Sequence, residues 1–146
     1  MRKKDDKILM VFLLYSAYSF LTDISIIFLE KNNLLTSDYY ITILSLFTII
    51  EFVAFSFLFL FIFKSLTIKK IIKGAIIVFI PICVLNFLLQ KNRNTNIDTI
   101  PITFQAIFFM SLSIYYFLDQ IKNPTIYFIY HESEFWIITT ILVYLS

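Results

Sequence analysis

The stretch Tyr39–Phe63, YYITILSLFTIIEFVAFSFLFLFIF, sets one carboxylate, Glu51, between two arms of twelve uncharged, mostly apolar residues. The run is longer than the roughly 20 residues that carry a helix across a hydrocarbon core. It is a membrane span with an acid at its midpoint. At about 1.5 Å of rise per residue, Glu51 lies roughly 18 Å from either end, whereas half a hydrocarbon core is about 15 Å. A side chain as short as that of glutamate cannot snorkel such a distance to water.

Outward from this span the chain repeats the pattern. Toward the N-terminus, Ile8–Leu29 is apolar and follows the basic tail Arg2, Lys3, Lys4 and Lys7. It lacks a small-residue cleavage pattern, so it reads as an uncleaved signal anchor and first span. Beyond Phe63 come Ile71–Leu89 and Ile100–Leu118, and a fifth apolar run opens at Phe135 and reaches Ser146. Twelve residues make about 18 Å of helix, too little to cross about 30 Å. This segment is expected to be a truncated or partial span. The predicted architecture is therefore all-α: a polytopic transmembrane bundle in one integral membrane domain, 1–146, with spans at 8–29, 39–63, 71–89 and 100–118 and an incomplete one at 135–146.

Composition agrees. Sixty per cent of the residues are hydrophobic and 15% are charged, with a mean hydropathy of +0.86, outside the range of soluble and disordered chains. The length of 146 residues leaves no room for a separate soluble domain beside four or five spans. The basic residues fall as four before the first span, one before the second, four in the next loop, then two and one. A cytoplasmic N-terminus puts nine of the twelve inside and the reverse topology three, so the positive-inside rule orients the chain. The loop holding Lys64, Lys69, Lys70 and Lys73 has no acid and is the strongest cytoplasmic marker. Pro101 suits the first turn of a helix. Pro81 falls mid-span, where it removes a helix hydrogen bond.

One cysteine, Cys83, excludes an internal disulfide, and one histidine, His131, leaves no ligand set for zinc or a doubly ligated haem. No metal and no cofactor are expected, and no nucleic-acid partner. The single glycine, Gly74, counts against the broken helices and close crossings of transporter folds.

The candidate site centres on Glu51. A charged side chain at the bilayer centre costs about 2.5–3.5 kcal/mol on insertion scales for Asp, Lys or Arg, and no Lys or Arg lies within a span interior to pair with it. Glu51 is therefore expected to be neutral or hydrogen-bonded, with Tyr15, Tyr18, Ser19, Asn86 and Gln105 as partners. Ser45 and Thr48, at steps of three before it, extend a polar stripe along the same face. The site is open between a proton or ligand centre and a structural interhelical hydrogen bond. Asp23 lies toward the outer end of span one, where water, Thr22 and Ser25 can solvate it. It is a second intramembrane candidate that could border an external cavity with Glu51. The last loop offers His131, Glu132 and Glu134 beside Trp136, as a titratable group or as an interfacial loop with an aromatic belt.

The acid in SFLTDI at Asp23, IIEF at Glu51 and EFWIITTILVY at Glu134–Tyr144 together resemble an uncharacterised family of small multi-pass bacterial inner-membrane proteins, often encoded near two-component regulators. The resemblance implies localisation in the inner (plasma) membrane and a signalling context, and no catalytic residue. The expected function is a non-enzymatic sensor or accessory subunit of a membrane signalling system, with the lipid bilayer and a membrane or cytoplasmic signalling protein as partners. A homo-oligomer is also open. The alternative is a small proton-linked transporter or permease subunit using Glu51. A lipid-modifying enzyme with Asp23 and Glu51 as acid and base has no supporting motif.

Overall fold

Long apolar runs interrupted by one glycine and three prolines have few places to break. The computed structural model describes residues 2–32, 36–91, 99–122 and 133–145. Among them it forms five helices and no strand: α1 Arg2–Lys31, α2 Ser37–Ile62, α3 Leu66–Lys91, α4 Thr99–Lys122 and α5 Ser133–Leu145. Four contain stretches long and apolar enough to cross a membrane, Lys7–Lys31, Tyr39–Ile62, Leu66–Leu89 and Ile100–Lys122. The fourth expected interval thus extends by a turn, and α5, at 13 residues, fits a partial span. The chain is a multi-pass membrane protein.

One boundary differs in kind. Lys69, Lys70 and Lys73 do not form a loop with Lys64. They ride on the first two turns of α3, because lysine is a good helix former whose stem can lie along apolar surface while its ammonium reaches water. The break between α2 and α3 is confined to Phe63–Ser65. Phe63 turns to extended backbone (φ −71°, ψ 134°), and the Ser65 carbonyl accepts from the Lys69 N–H at 3.1 Å. Pro101 occupies the first turn of α4, where a missing N–H costs nothing. The α3 helix continues through Pro81, whose ring lies on the exposed side.

The packing centres on α2, which meets α1, α3 and α4; α4 also packs on α3 and α5. The ring contacts give direction. Phe52 of α2 stacks on Phe79 of α3 (centroids 3.8 Å apart, planes 12° off parallel). It also meets Phe104 and Phe109 of α4, while Phe63 lies against Tyr116 farther along both helices. Thus α2 and α4 run parallel and α3 runs between them in the opposite sense. Against the far end of α4, Phe117 meets Phe135, and α5 then climbs until Tyr144 edges onto Phe55. Tyr144 therefore lies near the depth of the α2 midpoint. Phe52, Phe55, Phe59, Phe79 and Phe109 are fully buried and fill the half of the bundle toward the end of α2. With lipid on the outside as apolar as the inside, dispersion and ring geometry rather than water exclusion hold this half together.

Candidate functional site

Glu51 is the thirteenth of the 24 residues of the span Tyr39–Ile62 and is 6% exposed. At that burial, with the Thr48 hydroxyl already donating to the Leu44 carbonyl, the groups that satisfy the carboxyl come from neighbouring helices. Two groups do. The Tyr15 hydroxyl of α1 donates to Oε1 at 2.5 Å, and the Gln105 amide of α4 donates through Nε2 to Oε2 at 2.6 Å. Antiparallel pairing of α1 with α2 brings Tyr15 to this depth. Parallel pairing of α2 with α4 brings Gln105, only six residues from the start of its helix, to the same level.

Aromatic packing holds the donors in place. The Tyr15 ring stands edge-on to Phe55 (4.8 Å, 61°), and Phe55 is in turn met edge-on by Tyr144 (6.1 Å, 89°). The Tyr144 hydroxyl lies within interaction range of both Tyr15 and Glu51. Four helices thus converge on one carboxyl. Gln105 is itself 2% exposed, and its Oε1 has no hydrogen-bond partner among the described residues. The amide is two-sided: it offers a donor to a carboxylate and, rotated by 180°, an acceptor to a protonated carboxyl. Tyr15 donates to either form. Hydrogen bonding at Glu51 can therefore be kept in both protonation states, while the atom that Gln105 presents on its other side changes.

Of the residues singled out from sequence, Glu51, Tyr15 and Gln105 come together. Tyr18 does not join them; it stacks on Phe47 of α2 (5.9 Å, 13°) one turn along α1. Ser45, Thr48 and Asn86 are buried, and Thr48 donates to the Leu44 carbonyl at 3.0 Å. Asp23 is exposed, eight residues past Tyr15 or about 12 Å along α1. It does not reach Glu51, because the ring contacts of α1 with α2 run through Tyr15 and Tyr18, whereas Asp23 lies on an exposed part of α1. Glu134 and Trp136 belong to the first turn of α5 rather than to a loop, and the Trp136 ring is exposed. His131 and Glu132 lie outside the described residues.

Tyr144 is the member of the site that sequence reasoning missed. It sits next to the end of a segment too short to span, so nothing in its spacing ties it to the bilayer centre. The signal was its distance from Glu134, ten residues or about 15 Å along a helix that begins at an interface, which brings Tyr144 to mid-membrane. Among the described residues no group of His, Cys and carboxylate side chains is arranged to hold a metal ion. No protein-family model, curated protein or solved structure matches this chain.

Proposed function

We infer that the chain is a non-enzymatic sensor or accessory subunit of a signalling system in a bacterial inner (plasma) membrane, and that Glu51 is its sensing centre. The observation that carries this reading is the sharing of one mid-membrane carboxyl between donors on two other helices. The charge on Glu51 then sets which way the Gln105 amide is turned and which atom it presents on its other side. A proton on the carboxyl changes that arrangement between α2 and α4 without any covalent chemistry. Conversion of that change into a signal requires a protein partner, reached through the basic turns at the start of α3 or the segment between α4 and α5.

The test combines capture and substitution. In-cell crosslinking from the segment between α4 and α5, followed by mild-detergent purification and mass spectrometry, is expected to recover a histidine kinase or comparable signalling protein. Glu51→Gln, which fixes the neutral form, is expected to lock the output of that partner in one state at unchanged expression. An unaltered output removes the sensing role.

One observation favours a second reading, a proton-linked transporter subunit: the buried, unpartnered Gln105 Oε1 beside the carboxyl is an acceptor that a cationic or hydrogen-bond-donating substrate would satisfy. Proton-coupled uptake into vesicles, abolished by Glu51→Gln, would support it over the sensor.

A further inference from the structure

The two halves of the bundle on either side of Glu51 differ in chemistry. Toward the end of α2 the interior is closed by Phe52, Phe55, Phe59, Phe79 and Phe109, all fully buried and in mutual ring contact. Toward the start of α2 the buried positions of the same face are Thr48 and Ser45. The antiparallel stack of Phe52 on Phe79 sets the register with α3. Four residues along each helix from that stack bring Cys83 level with Thr48, and seven bring Asn86 level with Ser45. Cys83 and Asn86 are both buried. From α4, Gln105 completes the set. Successive polar levels are about 4.5 Å apart along the axis, a step that one bridging water can cover with good hydrogen bonds to both sides. Beyond Ser45, Ile41 is the one further buried side chain on α2 among the described residues.

We propose that this seam of Ser45, Thr48, Cys83, Asn86 and Gln105 is a half-channel, through which Glu51 exchanges protons with the compartment facing the start of α2, and that the phenylalanine cluster seals it from the other. No group along the seam carries a fixed charge. The titratable groups facing Glu51 are Tyr15 from α1 and Tyr144 from α5, and Asp23 acts on Tyr144 from a distance. From α3 the titratable group in the seam is Cys83, and from α4 the facing group is the neutral Gln105. A proton therefore meets hydroxyl, amide and thiol groups at successive levels on one side of Glu51. On the other it meets an aromatic cluster in which the buried hydroxyls are isolated, Ser113 donating to the Phe109 carbonyl at 2.8 Å and Ser56 Oγ having no hydrogen-bond partner among the described residues. The proposal rests on the reading of Glu51 as a titrating centre and adds the side from which it is reached.

Cys83, the one cysteine of the chain, is a built-in probe. The full chain would be reconstituted in liposomes and exposed, from either side separately, to a small, charged, membrane-impermeant methanethiosulfonate. Tyr39→Cys in a Cys83→Ser background marks the side on which α2 begins. Cys83 is expected to react from that side alone, as is Thr48→Cys in the same background. Both should react at least about tenfold faster than Ser56→Cys, which sits five residues beyond Glu51 within the sealed half, because a thiol in apolar surroundings stays protonated and inert. Reaction from the other side, equal rates at Ser56→Cys, or no reaction of Cys83 and Thr48→Cys from either side while Tyr39→Cys reacts, overturns the half-channel. The two readings fail separately. One-sided labelling with partner output unchanged by Glu51→Gln leaves access standing and removes the sensor. Altered output with symmetric labelling does the reverse.

Discussion

Glu51 illustrates how a polar side chain is kept at the centre of a bilayer: its oxygens are spoken for by Tyr15 and Gln105, so its ionised or neutral form is solvated by protein. Interhelical hydrogen bonds in membranes are modest, averaging about 0.6 kcal/mol, because the separated helices also find partners. Tyr15→Phe, which removes one donor and leaves the ring on Phe55, is therefore expected to cost about 0.5–1.5 kcal/mol. Glu51→Gln keeps an acceptor for Tyr15 and an amide for Gln105 and should be nearly neutral. Glu51→Ala strands the buried Gln105 amide and should cost most, about 1–3 kcal/mol. Reversible unfolding in mixed micelles gives the order, and Gln costing more than Ala would contradict the geometry. Of this cluster, Glu51 itself was evident from sequence because an acid with twelve apolar residues on either side has no route to water. Tyr15 and Gln105 were named only within a wider set, since polarity and presence in a span do not say which way a side chain faces.

At the scale of elements, α2 is the helix that every part of the core depends on. Its Phe52 touches Phe79, Phe104, Phe108 and Phe109 at once. Phe52→Ala removes a fully buried ring from a stack that cannot collapse into the gap, so a loss of about 3 kcal/mol is expected. Leu13 of α1, 65% exposed and on the lipid side, provides the contrast: Leu13→Ala should change stability by less than about 0.5 kcal/mol. Comparable losses at the two positions would mean that α1 packs otherwise than on this face. The helix limits show what hydropathy does and does not read. It located every span, but began α3 at Ile71 instead of Leu66 because a window that counts charge rejects Lys69 and Lys70. The helix has no such objection, since only the backbone must be hydrogen-bonded within the membrane and lysine stems can lie along it.

For the molecule as a whole, the orientation expected is the one that the distribution of basic residues favours. The short Phe63–Ser65 turn is expected on the cytoplasmic side with the N-terminus. Ser65→Cys, in a Cys83→Ser background, should be labelled by an impermeant thiol reagent only when the cytoplasmic face is accessible. Replacing Lys69, Lys70 and Lys73 together by Gln should produce a measurable inverted fraction, because those charges adjoin the membrane ends where the positive-inside bias acts. Labelling of Ser65→Cys from the outside would reverse the topology, and with it the compartment that the half-channel faces.

The sequence alone determined that the chain is an all-helical, multi-pass membrane protein and that Glu51 sits at mid-membrane. Both follow from one-dimensional quantities, the length of apolar runs against a hydrocarbon core of fixed thickness. Only the tertiary structure decided the rest: that Tyr15 and Gln105, and not Tyr18 or Asp23, meet the carboxyl, that α5 delivers Tyr144 to the same depth, and that the fully buried phenylalanines gather in the half of the interior toward the end of α2. In an interior and a lipid environment of equal apolarity, hydrophobic periodicity carries little information about which face of a helix is turned inward. The direction of each side chain is then set by ring packing and helix register, which exist only once the helices are brought together.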